Sequence, residues 1–155
     1  MAQCFPLFSE EDADLRELRW SLTRDGYARR TFRIAGPDGK KHPVSVEAHR
    51  VVAFRMKGRI PRALQCDHIN GVPLDNRREN IRLVTPSQNL MNRAAGSRNT
   101  SGVVGVNYNR SYHRWNARIM GKHLGCFLTL EEAALVRRAA EVEIFGEYAR
   151  RPSDQ

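Results

Sequence analysis

The sequence predicts an α+β fold, with a ββα unit near the middle of the chain and, after it, a small three-stranded antiparallel sheet packed on one helix. Three observations predict it. Residues 66–92 read as strand, loop, strand and short helix in close succession. Residues 102–127 hold three short runs rich in β-branched and aromatic side chains. A helix with clear start and stop signals then runs between Thr129 and Gly146.

Taken in order, Phe5-Pro6-Leu7-Phe8 is a short apolar entry, and Ser9 ahead of Glu10, Glu11 and Asp12 reads as an N-cap with acids in the first turn. Leu15, Leu18 and Leu22 recur at helical spacing with Trp20 beside them, which predicts one helix through this stretch. Gly26-Tyr27 and Gly36-Pro37-Asp38-Gly39 punctuate two strands, about 27–35 and 42–47, joined as a hairpin. Ala48 to Met56 reads as a helix that ends near Gly58, before Pro61. In the central stretch, Asn70-Gly71 signals a turn and Ile81–Val84 a strand. Thr85, Pro86 and Gln88 then suit the N-cap, the first helical position and the capping-box partner. Ala94–Thr100 is small and polar and reads as a linker. Beyond it, alternation puts Trp115, Ala117 and Ile119 on one face of the middle strand, and Arg114, Asn116, Arg118 and Met120 on the other. Thr129 with Glu132 three residues on forms a capping box, and Gly146 stops the helix.

Composition narrows the function. At 155 residues the chain holds one ordinary domain or two small ones. Cys4, Cys66 and Cys126 are far apart and never in Cys-x-x-Cys, which argues against a disulfide framework or a structural zinc and fits a reduced cytoplasm. No run of 18 apolar residues or secretory signal is visible, so neither a membrane span nor export is expected. The net charge of +9 is the signature of a polyanion partner. It is unevenly placed: residues 1–48 carry 8 Lys/Arg against 8 Asp/Glu, residues 49–100 carry 10 against 3, and residues 101–155 carry 8 against 6. The excess coincides with the ββα stretch and reads as a phosphate-backbone footprint.

That stretch also carries the chemistry. Asp67 and His68 close its first strand, and Asn89 lies on its helix. A carboxylate, an imidazole and a carboxamide gathered on such a unit make a hydrolytic site for phosphate esters. Adjacent strand residues point to opposite faces, so Asp67 and His68 can share a site only where the strand ends. The Asp67-His68 pair, the Asp75-Asn76-Arg77 run, Asn80 thirteen residues after Asp67 and Asn89 nine after Asn80 resemble the HNH nucleases, in the His-Asn-Asn form of phage and intron homing endonucleases. The resemblance implies a divalent cation, Mg²⁺ or Mn²⁺, on Asp67 and Asn89, with His68 as general base. It implies that Asn80 ties the loop and helps hold the histidine, and that Arg77 or Arg78 holds a phosphate. Asparagine at 89, where many members have histidine, favours magnesium or manganese over zinc. Trp20, Gly26-Tyr27-Ala28 and His49-Arg50-Val51-Val52-Ala53 resemble the N-terminal part of the same enzymes and read as scaffold, with His49 a capping or packing residue.

The last third resembles the plant ethylene-response-factor DNA-binding domain, through Gly105-Val106, Arg114-Trp115-Asn116-Ala117-Arg118-Ile119, Leu124-Gly125-Cys126-Phe127 and Thr129-Leu130-Glu131-Glu132-Ala133-Ala134. The resemblance implies a DNA-facing sheet carrying Asn107, Asn109, Tyr112, Arg114, Asn116, Arg118, Met120 and His123, to which Arg110 and Lys122 add charge. The expected organisation is a nuclease domain over 1–95, a linker over 96–101 and a DNA-binding domain over 102–148. The expected activity is site-preferring cleavage of double-stranded DNA, nicking as a monomer and breaking both strands as a dimer. A DNA-binding regulator with an inactive nuclease fold is the alternative.

Overall fold

A computed structural model describes residues 2–150. They form an α+β protein of two compact units, one running to Ser87 and one starting at Gln88.

The first unit opens with a four-stranded antiparallel sheet, β1 (Gln3–Cys4), β2 (Trp20–Leu22), β3 (Ala28–Ala35) and β4 (Lys41–Glu47), in that order. β3 and β4 form the expected hairpin, registered from Arg29 opposite Glu47 to Ala35 opposite Lys41. α1 (Ala48–Lys57) follows β4 directly and ends where Gly58, at φ 72°, returns its N–H to Phe54 O at 2.7 Å. β5 (Gln65–His68) and β6 (Ile81–Val84) make a second, two-stranded sheet, and α2 (Pro86–Met91) follows, with the division between the units falling inside it. Trp20, Ala28, Ala48, Val52 and Ile81 pack into one core beneath both sheets. That core sets the ββα unit against α1.

The single helix expected through Leu15, Leu18 and Leu22 does not form. Glu10–Glu17 is a 3-10 helix kinked at Asp12, Leu18 is already extended, and Leu22 lies in β2. Tertiary contacts override the leucine spacing. Trp20 is buried and its Nε1 donates to Leu15 O at 2.8 Å, so the chain must turn between them. Asp12 is drawn wholly inside by Arg55 and Arg78. Ser9 caps nothing through its side chain; its Oγ accepts the Arg78 N–H at 2.8 Å instead.

The second unit is a three-stranded antiparallel sheet, β7 (Val106–Asn109), β8 (Arg114–Ile119) and β9 (Lys122–Phe127), with α3 (Leu130–Phe145) packed on it. Ala117 and Ile119 are buried on the α3 side, while Arg114 and Arg118 are exposed on the other. Both halves of the Thr129–Glu132 capping box are made, and Gly146 caps the other end at φ 52°. Ala133, fully buried, lets α3 lie close to the sheet. The first strand begins at Val106 rather than near 102, because Ser101 Oγ reaches Val106 O at 2.7 Å and Asn99 Nδ2 reaches Val103 O at 2.9 Å, which shapes the preceding residues into turns. Gly105 cannot be replaced there: a Cβ would collide with Arg118 O. Met120 leaves the strand for a turn at φ 46°. No helix among the described residues is long and apolar enough to cross a membrane.

Candidate active site

The β5–β6 hairpin places Asp67 opposite Arg82 and His68 opposite Ile81. Both Asp67 and His68 are buried, as the last two residues of β5. Alternation along the strand sends their side chains to different neighbours. Arg82 brings Nε and Nη2 to Asp67 Oδ2, each at 2.8 Å, and so fixes the carboxylate. The His68 ring turns toward Asn76, Tyr27 and His49.

The loop between the strands is held by its own amides. Asn80 Oδ1 accepts the Asn70 N–H at 3.0 Å, and its Nδ2 donates to Asn70 Oδ1 at 3.0 Å and to Asp75 O at 2.7 Å. Asn70 Nδ2 donates to Asp75 Oδ2 at 2.8 Å. The N-terminal segment stitches the same loop from outside: Leu7 N donates to Leu74 O at 2.8 Å, and Leu7 O accepts from Asn76 N at 2.9 Å.

This framework orients Asn76, which is wholly buried. Its Nδ2 donates to Leu74 O at 3.1 Å, so its Oδ1 is the atom facing His68 Nε2, at 3.3 Å. A carboxamide oxygen only accepts, so His68 carries its proton on Nε2 and keeps a lone pair on Nδ1. Asn80 therefore ties the loop, while the residue that meets the imidazole is Asn76.

Two rings close around the base. His49 stands edge-on to His68, with centroids 5.2 Å apart at 70°, and Tyr27 lies 5.2 Å from His49 and 5.9 Å from His68. Burial pushes the His49 pKa down to about 3, helped by the positive charges of His68 and Arg50, so the ring is neutral at physiological pH. Its Nδ1 is buried with no hydrogen-bond partner, and its Nε2 lies 3.6 Å from Glu47 Oε2. Burial also lowers the His68 pKa, opposed by the Asn76 contact and by the charges of Asp67 and Asp75. His49 is thus part of the wall around the base, beyond the capping or packing role read from the sequence.

The arginines of this loop are engaged within the chain. Arg77 binds Asp75 through Nε and Nη2, at 2.8 and 2.7 Å, which holds the Asp75 carboxyl below its usual range. Arg78 binds the buried Asp12, with Nε 2.7 Å from Oδ2, and Arg55 of α1 reaches the same carboxylate at 3.1 Å. Asn89 is half-buried on α2 and belongs to the second unit, as do the sheet residues expected to face DNA. Of those, Asn107, Arg110, Tyr112, Arg114, Arg118, Lys122 and His123 are exposed, and Asn116 is half-buried. Asn109, also half-buried, turns its Oδ1 to the N–H groups of Ser111 and Tyr112 and closes the β7–β8 turn.

Comparison with known proteins gives this geometry a family. A family model described as HNH endonuclease matches residues 46–91, from the end of β4 through α2. Protein 3.8 of Escherichia phage T7 is 30% identical over 97 residues, which is 60% of this chain and 79% of that protein. Residues 46–91 belong to the HNH endonuclease family. A protein of Acanthamoeba polyphaga mimivirus described as an uncharacterized HNH endonuclease is 29% identical over 132 residues; the match takes in 84% of this chain and spans 65% of that protein's length. No solved structure matches the chain significantly. The HNH match contains Asp67, His68, Asn76, Asn80 and Asn89, and it also takes in His49. Thus the wall of the base and the loop that positions it lie within the family's own stretch, while Tyr27 reaches in from outside it.

Proposed function

We propose that this HNH protein is a metal-dependent endonuclease that hydrolyses phosphodiester bonds in duplex DNA, with His68 as general base. The observation that carries the reading is the Asn76–His68 contact. It gives a buried, neutral imidazole a defined tautomer, which is what activation of a water requires.

The donor set fits a hard divalent cation. Among the described residues no group of three or more His, Cys, Asp or Glu could hold a metal ion. Asp67 offers a carboxylate and Asn89 an amide oxygen, and such a set suits Mg²⁺ or Mn²⁺ with water and substrate phosphate as the remaining ligands. When bound, the cation neutralises charge on the phosphate and on the leaving oxygen. Arg82 holds the Asp67 carboxylate in one orientation. His68 Nδ1 takes the proton of the attacking water, and the imidazolium that forms keeps its Nε2–H on Asn76. Asn80 keeps the loop closed so that Asn76 stays in place.

The second unit supplies duplex preference in this reading. Residues 102–148 form the DNA-binding domain, joined by the 96–101 stretch to the nuclease domain at 1–95. Asn107, Arg114, Asn116, Arg118, Lys122 and His123 meet the groove, and Arg110 and Tyr112 meet the backbone beside it. Residues 101–128 contain no Asp or Glu, while residues 129–147 contain five Glu, so the sheet side is the basic one. A monomer with one such centre nicks, in keeping with a homing-type enzyme acting in a cytoplasm.

Incubation of supercoiled plasmid and of a random duplex library with Mg²⁺, Mn²⁺ or EDTA tests this, alongside His68→Ala. Metal-dependent open-circle product that the variant loses by about 10²- to 10⁴-fold is the expected result. Intact DNA binding with no cleavage of any target would replace the enzyme with a DNA-binding regulator.

A further inference from the structure

The net charge of residues 1–48 is zero, yet the structure separates the signs. Three acids of the 3-10 helix are paired with arginines: Asp12 with Arg55 and Arg78, Asp14 with Arg55, and Glu10 with Arg16. Several arginines gather on the four-stranded sheet, where Arg29 pairs with Glu47. Arg19 and Ser21 alternate with the buried Trp20, and Arg29, Thr31 and Arg33 alternate outward along β3 from the buried Ala28. Register places Ser21 opposite Arg29, and Thr31 opposite Ser45. One face of the sheet therefore carries three arginines and three hydroxyls.

Arg19, Ser21, Arg29 and Thr31 line a cavity of about 430 Å³, with Arg30 at its edge. Arg19 and Arg33 make no hydrogen bond or ion pair among the described residues. The acid on this face is Glu47, 3.3 Å from Arg29 Nη2. The same Glu47 lies 3.6 Å from His49, whose ring stands against His68. The basic face therefore begins one side chain away from the wall of the candidate base.

We propose that this face is a second seat for the DNA backbone, in which Arg19, Arg29 and Arg33 take phosphates flanking the one that is cleaved. It rests on the nuclease reading above. Guanidiniums beside hydroxyls are the donor set that binds phosphodiester oxygens, those of Arg19 and Arg33 having no acid beside them among the described residues, and such contacts position a duplex without reading its sequence. An acidic protein would meet the same charge, but the cavity is lined by guanidiniums and hydroxyls, and the Arg29–Glu47–His49 contacts link this face to the wall of the candidate base. The face extends the footprint from the ββα unit onto elements that the sequence presents as scaffold.

Binding of the full chain to a duplex, measured against salt concentration, tests the seat. In Arg19→Gln/Arg33→Gln, the slope of log affinity against log salt should fall by roughly 2, one for each phosphate that is no longer neutralised. Arg19→Lys/Arg33→Lys should restore the slope. Thr31→Glu, which puts a carboxylate on this face in place of the exposed hydroxyl bonded to Ser45, should weaken binding in the same direction. An unchanged slope in the double glutamine variant and in Thr31→Glu, with the unaltered protein still binding and cutting, overturns the seat and leaves the nuclease standing. Loss of cutting in the unaltered protein, with the arginine effect intact, overturns the nuclease and leaves a DNA-binding face.

Discussion

A buried imidazole serves as a base only while it is neutral and held in one tautomer. Burial supplies the first condition at His68, since it pushes the pKa below the ordinary histidine value. The acid limb of a cleavage-rate profile should therefore fall below about pH 6.5, the unperturbed value. Asn76 supplies the second condition. Asn76→Ala should lower kcat by about tenfold or more while duplex affinity stays near the original, as single-turnover kinetics and binding curves can separate. His49 makes a claim about stability. Its pKa is depressed to about 3 in the folded chain. The unfolded chain thus takes up a proton first, and stability present above about pH 6.5 is lost as the pH falls toward the folded value. His49→Gln, which cannot titrate, should flatten urea-unfolding stability across that window. A variant as steep as the original would show that other groups carry the acid sensitivity. The roles of Asn76 and His49 were not visible at their own positions: Asn76 sits in the Asp75-Asn76-Arg77 run between two strands, and His49 at what reads as a helix start.

Elements were legible where local chemistry and packing agree. The Thr129–Glu132 box and Gly146 bound α3 as the residues alone indicate, and Thr129→Ala should cost about 1 kcal/mol in a denaturant melt, since the cap is made in full. The β3–β4 hairpin and α1 were legible for the same reason: turn glycines and apolar runs coincide with the elements that form. The 3-10 helix was not. Its leucine spacing gives way to two demands set by distant residues, the indole bond of Trp20 and the Asp12 carboxylate shared by Arg55 of α1 and Arg78 of the loop. Asp12→Ala should leave both guanidiniums without this partner. It should lower the denaturant midpoint with little change in slope. Because Arg78 adjoins the loop that carries Asn76, the same variant should also slow cleavage.

At the scale of the whole molecule, charge total and charge placement give different answers. A net of +9 points to a polyanion, but it gives no sign that a balanced N-terminal stretch folds into an acid-paired helix and a basic sheet face. The order of residues by itself determined the α+β class, the ββα unit, the capped last helix and the identity of the candidate base. Each of these depends on spacings of a few residues along one element or one turn, where the backbone sets the geometry. Only the tertiary structure decided which carboxamide meets His68, that His49 and Tyr27 wall it in, and where the unpaired arginines gather. Those contacts join residues 8 to 41 positions apart, brought together by the burial of Trp20, Ala28, Ala48 and Ile81 in one core. Which side chain reaches which atom then follows from packing, and packing is a property of all the elements at once.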